Sequence, residues 1–146
     1  DDNWQIWNTL VLVKMIHLIS GPRNISTSLM YSFNNRKDCI GIDEPFYGHY
    51  LKHTGLSHPG RKEILSEMET DEKVIVNNLE TIHSNANYLF IKNMASHVAL
   101  LESTFYYEAK NLFLIRDTDA VINSFVKVVS DFTLEDIGNK LFKKIT

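Results

Sequence analysis

The chain holds one cysteine among its 146 residues, Cys39, so it forms no intramolecular disulfide and nothing in its composition calls for an oxidising compartment. A buried, inert thiol is the expected state. An excess of positive charge is also missing. The formal net charge is −3 at pH 7, which excludes a nucleic-acid binder that neutralises phosphates over a broad surface and requires any anion site to be built locally. Long hydrophobic runs are lacking too. Stretches such as NYLFI and NLFLI are far too short to span a bilayer, and the opening DDNW has no basic region ahead of an apolar core. The chain reads as soluble and cytoplasmic, with no membrane or nucleic-acid partner. It shows no internal repeat, low-complexity tract or linker, so one domain is expected.

What is present is an ordinary globular composition, 44% hydrophobic and 23% charged. Short apolar runs rich in β-branched and aromatic residues predict strands over 15–20, 39–43, 88–92 and 111–115, each followed by polar or turn residues. Helical spacing fills the intervals over 26–35, 44–53, 71–84, 97–109 and 119–129. Strands that alternate with helices and read as near-continuous apolar runs predict an α/β fold, three-layered, with a central parallel sheet of about four strands flanked by helices. Met15 stands immediately before the first strand, so the domain is expected over 15–146, with 1–14 a leader or extension. The insert HTGLSHPGR, with two glycines and a proline, predicts a surface loop that can lie over a site. Near the end, Leu134, Ile137, Leu141 and Phe142 at helical spacing predict an amphipathic helix that covers the core or meets a partner.

The stretch HLISGPRNISTSLMYSF passes from a strand through Gly21, Pro22 and Arg23 into a helix that starts near Ser26. The first N–H groups of such a helix have no carbonyl partners, and with the helix dipole they favour an anion. Arg23 adds a planar fork suited to phosphate or sulfate, and Ser26, Thr27 and Ser28 add hydroxyl donors. The plainer alternative makes Ser26 a simple N-cap and Arg23 a solvated turn residue. The nucleotide-triphosphate loop G-x-x-x-x-G-K-[ST] is not matched, because no second glycine and no lysine precede the hydroxyls. A second element, LFLIRDTDAVINSF, ends a strand in Arg116 and places Ser124 eight residues on, within a helix, so that a basic and a hydroxyl group reach a second anion.

Together these elements resemble the sulfotransferase superfamily, P-loop-like proteins that take 3′-phosphoadenosine-5′-phosphosulfate (PAPS) as co-substrate. The family grips the 5′-phosphosulfate with P-[KR]-S-G-T-[ST], here Pro22-Arg23-Asn24-Ile25-Ser26-Thr27, and the 3′-phosphate with R-[DN]-P-x-D-x-x-x-S, here Arg116 to Ser124. The resemblance covers about 15–130 and implies cofactor-binding roles for Gly21, Pro22, Arg23, Asn24, Ile25, Ser26, Thr27, Ser28, Arg116 and Ser124. Asn24 and Ile25 stand where serine and glycine are usual, and Thr118 where proline is usual. The resemblance also implies sulfuryl transfer from PAPS to a hydroxyl or amine of a small acceptor. A silent nucleotide- or anion-binding module and a small-molecule kinase are the alternatives. The acceptor and the oligomeric state are left open, a dimer or larger assembly being compatible with these residues.

Some branches of that family place a catalytic glutamate just after the second strand, and Glu44 occupies that position, with Asp43 beside it and Arg23 as its catalytic partner. The competing role for Asp43 and Glu44 is to cap the next helix, with Pro45 in its first turn. Phe46, His49, Lys92 and His97 are expected on the acceptor side. For Phe46, Tyr47 and Tyr50 core packing competes with that role, and for His97 the start of a helix does. His49 and His53 are four apart, but no glutamate follows His49 as a zinc-protease helix requires, so no metal is expected. Met30, Met68 and Met94 read as packing.

Overall fold

The structure, a computed structural model, describes residues 14–102 and 105–127. The extension before the first strand, the terminal amphipathic helix and the last residues of the 119–129 helix therefore lie outside the described residues. In chain order the elements are β1 (Lys14–Ser20), α1 (Ser26–Asn34), β2 (Cys39–Asp43), α2 (Tyr47–Thr54), α3 (Arg61–Glu67), α4 (Glu72–Ser84), β3 (Tyr88–Met94), α5 (Ala95–Val98), α6 (Phe105–Glu108), β4 (Lys110–Leu114) and α7 (Thr118–Phe125). The strands form one parallel sheet in the order β2-β3-β1-β4.

Alternation along the strands sends side chains to two covered faces. On one face Leu18, Cys39 and Phe90 meet Met30 of α1, and Phe33 stacks on Phe90 with ring centroids 4.2 Å apart. On the other, Met15, Leu89 and Ile91 meet Phe46 together with Ile75 and Leu79, one turn apart on α4, while Ile19 meets Ala95 and Val98 of α5. The architecture is the expected three-layered α/β one. α1 approaches β2 closely enough that a Cβ at Gly41 would stand 2.8 Å from the Asn34 Cβ, and the Asn34 Oδ1 accepts from the Gly41 N–H of this edge strand at 2.9 Å.

Four departures from the expected elements follow from contacts and turns along the chain. The helix expected over 44–53 starts three residues later, because Glu44 takes a left-handed turn, φ 45°, that no helix contains. The loop after His53 is followed by α3, a short helix that the glycine- and proline-bearing insert hides from a periodicity argument. The 97–109 helix resolves into α5 and α6, with 103–104 outside the described residues. β3 runs two residues further than expected, to Met94. α4 starts as expected, its first N–H groups capped by Asp71, whose Oδ1 accepts from Lys73 and Val74.

The connections leave β1 and its neighbour β3 toward opposite faces of the sheet, α1 on one and α5 on the other. That reversal opens a crevice beyond the carboxyl ends of the strands, where α/β sheets bind ligands. Beneath it, His17 ties three strands together. Its Nδ1–H donates to the Asn111 Oδ1 and its Nε2 accepts from the Asn93 amide, both at 3.0 Å, which requires a neutral ring. Burial, partly opposed by the Asn111 bond, lowers its pKa to about 4. His97 on α5 is lowered to about 3, first by burial and then by the Lys92 charge.

Both shifts destabilise the fold in acid. Below the ordinary histidine pKa the unfolded chain takes up protons that the folded chain refuses, so stability is full above about pH 6.5 and falls as pH drops toward 4, by up to about 1.4 kcal/mol per pH unit for each histidine. Urea unfolding at pH 7, 6 and 5 checks this, and His97→Gln is expected to remove about half of the slope. A stability independent of pH over that interval would contradict the neutral buried rings.

Candidate functional site

A cavity of about 490 Å³ opens at the crevice. Its walls come from the 21–27 loop and the head of α1, from Glu44 beyond β2, from Lys92 and Met94 at the end of β3, and from Arg116 and Ser124 on the far side of β4. Residues from Gly21 to Ser124 thus converge on one pocket, and three hydrogen bonds hold them there. The Arg23 Nε–H donates to the Ser124 Oγ at 3.1 Å, an Arg116 Nη1–H donates to the Arg23 carbonyl at 2.9 Å, and the buried Asn24 amide donates to the Leu114 carbonyl at 2.7 Å.

The loop is made with left-handed backbone at two residues that are not glycine, Arg23 (φ 63°) and Ile25 (φ 60°). Ile25 is the N-cap residue of α1 and no side chain caps that helix, so its first N–H groups remain for an anion. Ser26 is not the cap that one reading of the sequence expects; it is the first helical residue, buried at the pocket wall. Ser28 lies one turn into α1, exposed and outside the cavity lining.

Lys92 is 3% exposed. An ammonium so far removed from water has to be paired, and it contacts two carboxylates, the Asp43 Oδ1 at 3.1 Å and the Glu44 Oε1. The backbone reinforces the pair, since the Glu44 N–H donates to the Lys92 carbonyl at 2.8 Å. Glu44 does not cap α2: the N-cap is Phe46, without a side-chain cap. The capping alternative is therefore not formed, and Glu44 lines the cavity.

Behind Lys92, the His97 ring stacks on Tyr47 (centroids 5.1 Å apart, planes 16°) and lies 4.8 Å from the Tyr50 ring. Its buried Nδ1 makes no hydrogen bond, and a ring held at a pKa of about 3 is neutral at neutral pH and a weak base. Tyr47 is raised first by burial and then by the Glu44 charge. Its hydroxyl lies 3.0 Å from the Nε2 of His58, so the 55–60 insert, flanked by Gly55 and Gly60 at positive φ, rests beside the site.

Other expected residues sit elsewhere. Phe46 has no exposed surface and belongs to the core with Ile75 and Leu79. His49 lines a second cavity of about 530 Å³ with Lys52, His53 and Glu72, its ring bonded to the Thr70 carbonyl. Among the described residues no group of three His, Cys, Asp or Glu side chains is arranged to hold a metal, and no helix is long and apolar enough to cross a membrane. Met94 was missed as a cavity residue. Strand alternation was the available signal, since Lys92 and Met94 are two apart on β3 and share a face.

Ile25 generates a prediction. A β-branched residue at positive φ is strained by about 1–2 kcal/mol, and its side chain, 71% exposed, recovers little by packing. Ile25→Gly should raise stability by about 1 kcal/mol after the unfolded-state entropy of glycine is subtracted. Denaturant unfolding with an unchanged m-value would show it, whereas a loss of stability would mean that Ile25 is held by contacts that outweigh the strain.

Comparison with known proteins agrees with this geometry. Residues 13–143 match the sulfotransferase domain family. Two curated relatives from Arabidopsis thaliana are Branched-chain-amino-acid aminotransferase-like protein 2, 38% identical over 117 residues and 80% of this chain, and Branched-chain-amino-acid aminotransferase-like protein 1, 37% identical over 116 residues and 79% of it. The chain spans about a fifth of their length, 21% in each case. No solved structure matches it significantly. The convergence of the 21–27 loop with Arg116 and Ser124 on one cavity and a family match over nearly the whole chain lead to one conclusion: the chain belongs to the sulfotransferase domain family.

Proposed function

We propose that the chain carries the donor site of a PAPS-dependent sulfotransferase that acts on a hydroxyl or amine of a small acceptor. The observation that carries this reading is the meeting of three cations, Arg23, Lys92 and Arg116, with an uncapped helix N-terminus and the Ser26 and Thr27 hydroxyls around one cavity that also holds a single carboxylate, Glu44. That donor set suits a ligand with several negative charges on phosphate and sulfate groups.

In this reading the 21–27 loop, with the Arg23 guanidinium and the N–H groups of α1, holds the 5′-phosphosulfate, and Arg116 with Ser124 holds the 3′-phosphate. PAPS supplies the sulfuryl group, its S–O bond to phosphate breaking as the acceptor oxygen or nitrogen bonds to sulfur. Glu44 takes the proton that the acceptor loses, and Lys92 faces the negative charge that grows on the departing phosphate oxygen. Positioning and electrostatics carry most of such a reaction, as in phosphoryl transfer.

Calorimetry with 3′,5′-diphosphoadenosine, without magnesium, is the first test. Binding supports the reading, and magnesium-dependent ATP binding in its place would favour a kinase. Arg116→Ala should weaken 3′,5′-diphosphoadenosine by roughly ten- to a hundredfold, the scale of one charge-assisted contact, and adenosine 5′-monophosphate much less. Equal losses would show that Arg116 acts only through its bond to the Arg23 carbonyl. With labelled PAPS and a panel of phenols and amines, Glu44→Gln should lower turnover about a hundredfold or more. A folded wild-type protein that binds PAPS and transfers to none of the panel would favour a silent binding module.

A further inference from the structure

Lys92 stands between two carboxylates and a cavity suited to an anionic ligand. It is in contact with Asp43 and Glu44, and it lines the same cavity in which Arg23, Arg116 and the head of α1 are arranged for an anionic ligand. We propose, resting on the donor-site reading above, that Lys92 is an exchange latch: without donor its ammonium holds the Glu44 carboxylate, and on donor binding it transfers to the donor's phosphosulfate and frees Glu44 to accept a proton.

The surroundings leave the ammonium those two destinations. The His97 ring, which feels the Lys92 charge, is neutral, carries an unpartnered Nδ1 and is backed by Tyr47 and Tyr50, so it offers the ammonium no countercharge. No other charge among the described residues is paired with it. Asp43 is the partner that stays. Its side chain is 42% exposed against 25% for Glu44, so water screens it more, yet it keeps the ammonium from being bare when Glu44 is released. The backbone bond from the Glu44 N–H to the Lys92 carbonyl does not involve the ammonium, so the Glu44 backbone remains fastened at the cavity when the ion pair opens. The latch makes the base available only when donor is bound. Without donor the Glu44 Oε1 is occupied by the Lys92 ammonium, and it is open to an acceptor's proton only once that contact has been released.

A double-mutant cycle with 3′,5′-diphosphoadenosine as the calorimetric probe tests this without any acceptor. If Lys92 must leave Glu44 to meet the ligand, Glu44→Gln tightens binding by roughly five- to tenfold in the wild-type background and by less than about twofold in Lys92→Met, as contacting partners do when they couple. An equal gain in both backgrounds means plain repulsion between Glu44 and the ligand, and overturns the latch. Circular dichroism and melting curves confirm folding, and Lys92→Gln replaces Lys92→Met if the latter does not fold. In wild-type protein, the carbon-13 resonance of the Glu44 carboxyl should move when 3′,5′-diphosphoadenosine is added and stay in place with adenosine. A resonance that ignores the bisphosphate also overturns the proposal. If the wild type binds no 3′,5′-diphosphoadenosine at all, the donor-site reading fails and the latch with it. If it binds with no coupling and no shift, the latch fails alone.

Discussion

The burial of the Lys92 ammonium is the constraint on which the rest of the site depends. At 3% exposure on a central strand, the charge is stable only with carboxylates brought to it. Those carboxylates come from the neighbouring strand, where Asp43 pairs with Lys92 in register, and from the residue after it, Glu44, at the cost of a left-handed backbone. β2 must therefore lie next to β3, the chain must turn sharply at Glu44 before Pro45 and Phe46, and α2 must start late. The order β2-β3-β1-β4 and the displaced start of α2 both satisfy one buried charge.

Strain at the mouth of the cavity follows the same logic. Arg23, Ile25 and Glu44, the non-glycine residues at positive φ among those described, all line the pocket. Such conformations cost about 1–3 kcal/mol each and persist where the surroundings over-determine them. For the 21–27 loop the over-determination is visible: Asn24 is fastened to Leu114, the Arg23 carbonyl to Arg116 and the Arg23 side chain to Ser124. The element that resembles a 5′-phosphosulfate grip is thereby hydrogen-bonded to the element that resembles a 3′-phosphate grip.

Much of the fold was legible because parallel strands buried on both faces appear as unbroken apolar runs, and β2 begins and ends where its run does. The cavity was legible in part because Arg23, Ser26, Arg116 and Ser124 fall at the ends of such runs, where the sheet delivers them to one edge. The missing parts depend on contacts that spacing does not encode. Ile25 in a glycine conformation, the staple from Asn24 to Leu114, and the choice of Lys92 rather than a helix N-terminus as the partner of Glu44 arise from residues 48 to 90 positions apart. Phe46 and His49 share a helical stretch with Tyr47 and Tyr50, and only packing decides that Phe46 enters the core, His49 turns to Thr70 and the two tyrosines meet His97.

The same geometry weighs the groups available to take a proton in the proposed reaction. His97 is held at a pKa of about 3 by burial and by the Lys92 charge, so at neutral pH it is neutral yet too weak a base to draw a proton from a hydroxyl or an amine. Asp43 shares the Lys92 ammonium but stays outside the cavity lining. Tyr47 is raised by burial and by the Glu44 charge, which keeps its phenol protonated. Glu44 lines the cavity, is partly exposed, and sits on a turn that an unconstrained glutamate would avoid. The Lys92 ammonium occupies its Oε1, and Lys92 also lines the place where the donor's negative charge would arrive. In the proposed latch, a buried lysine shared between a carboxylate and an incoming anion would open that carboxylate oxygen to a proton only on donor binding.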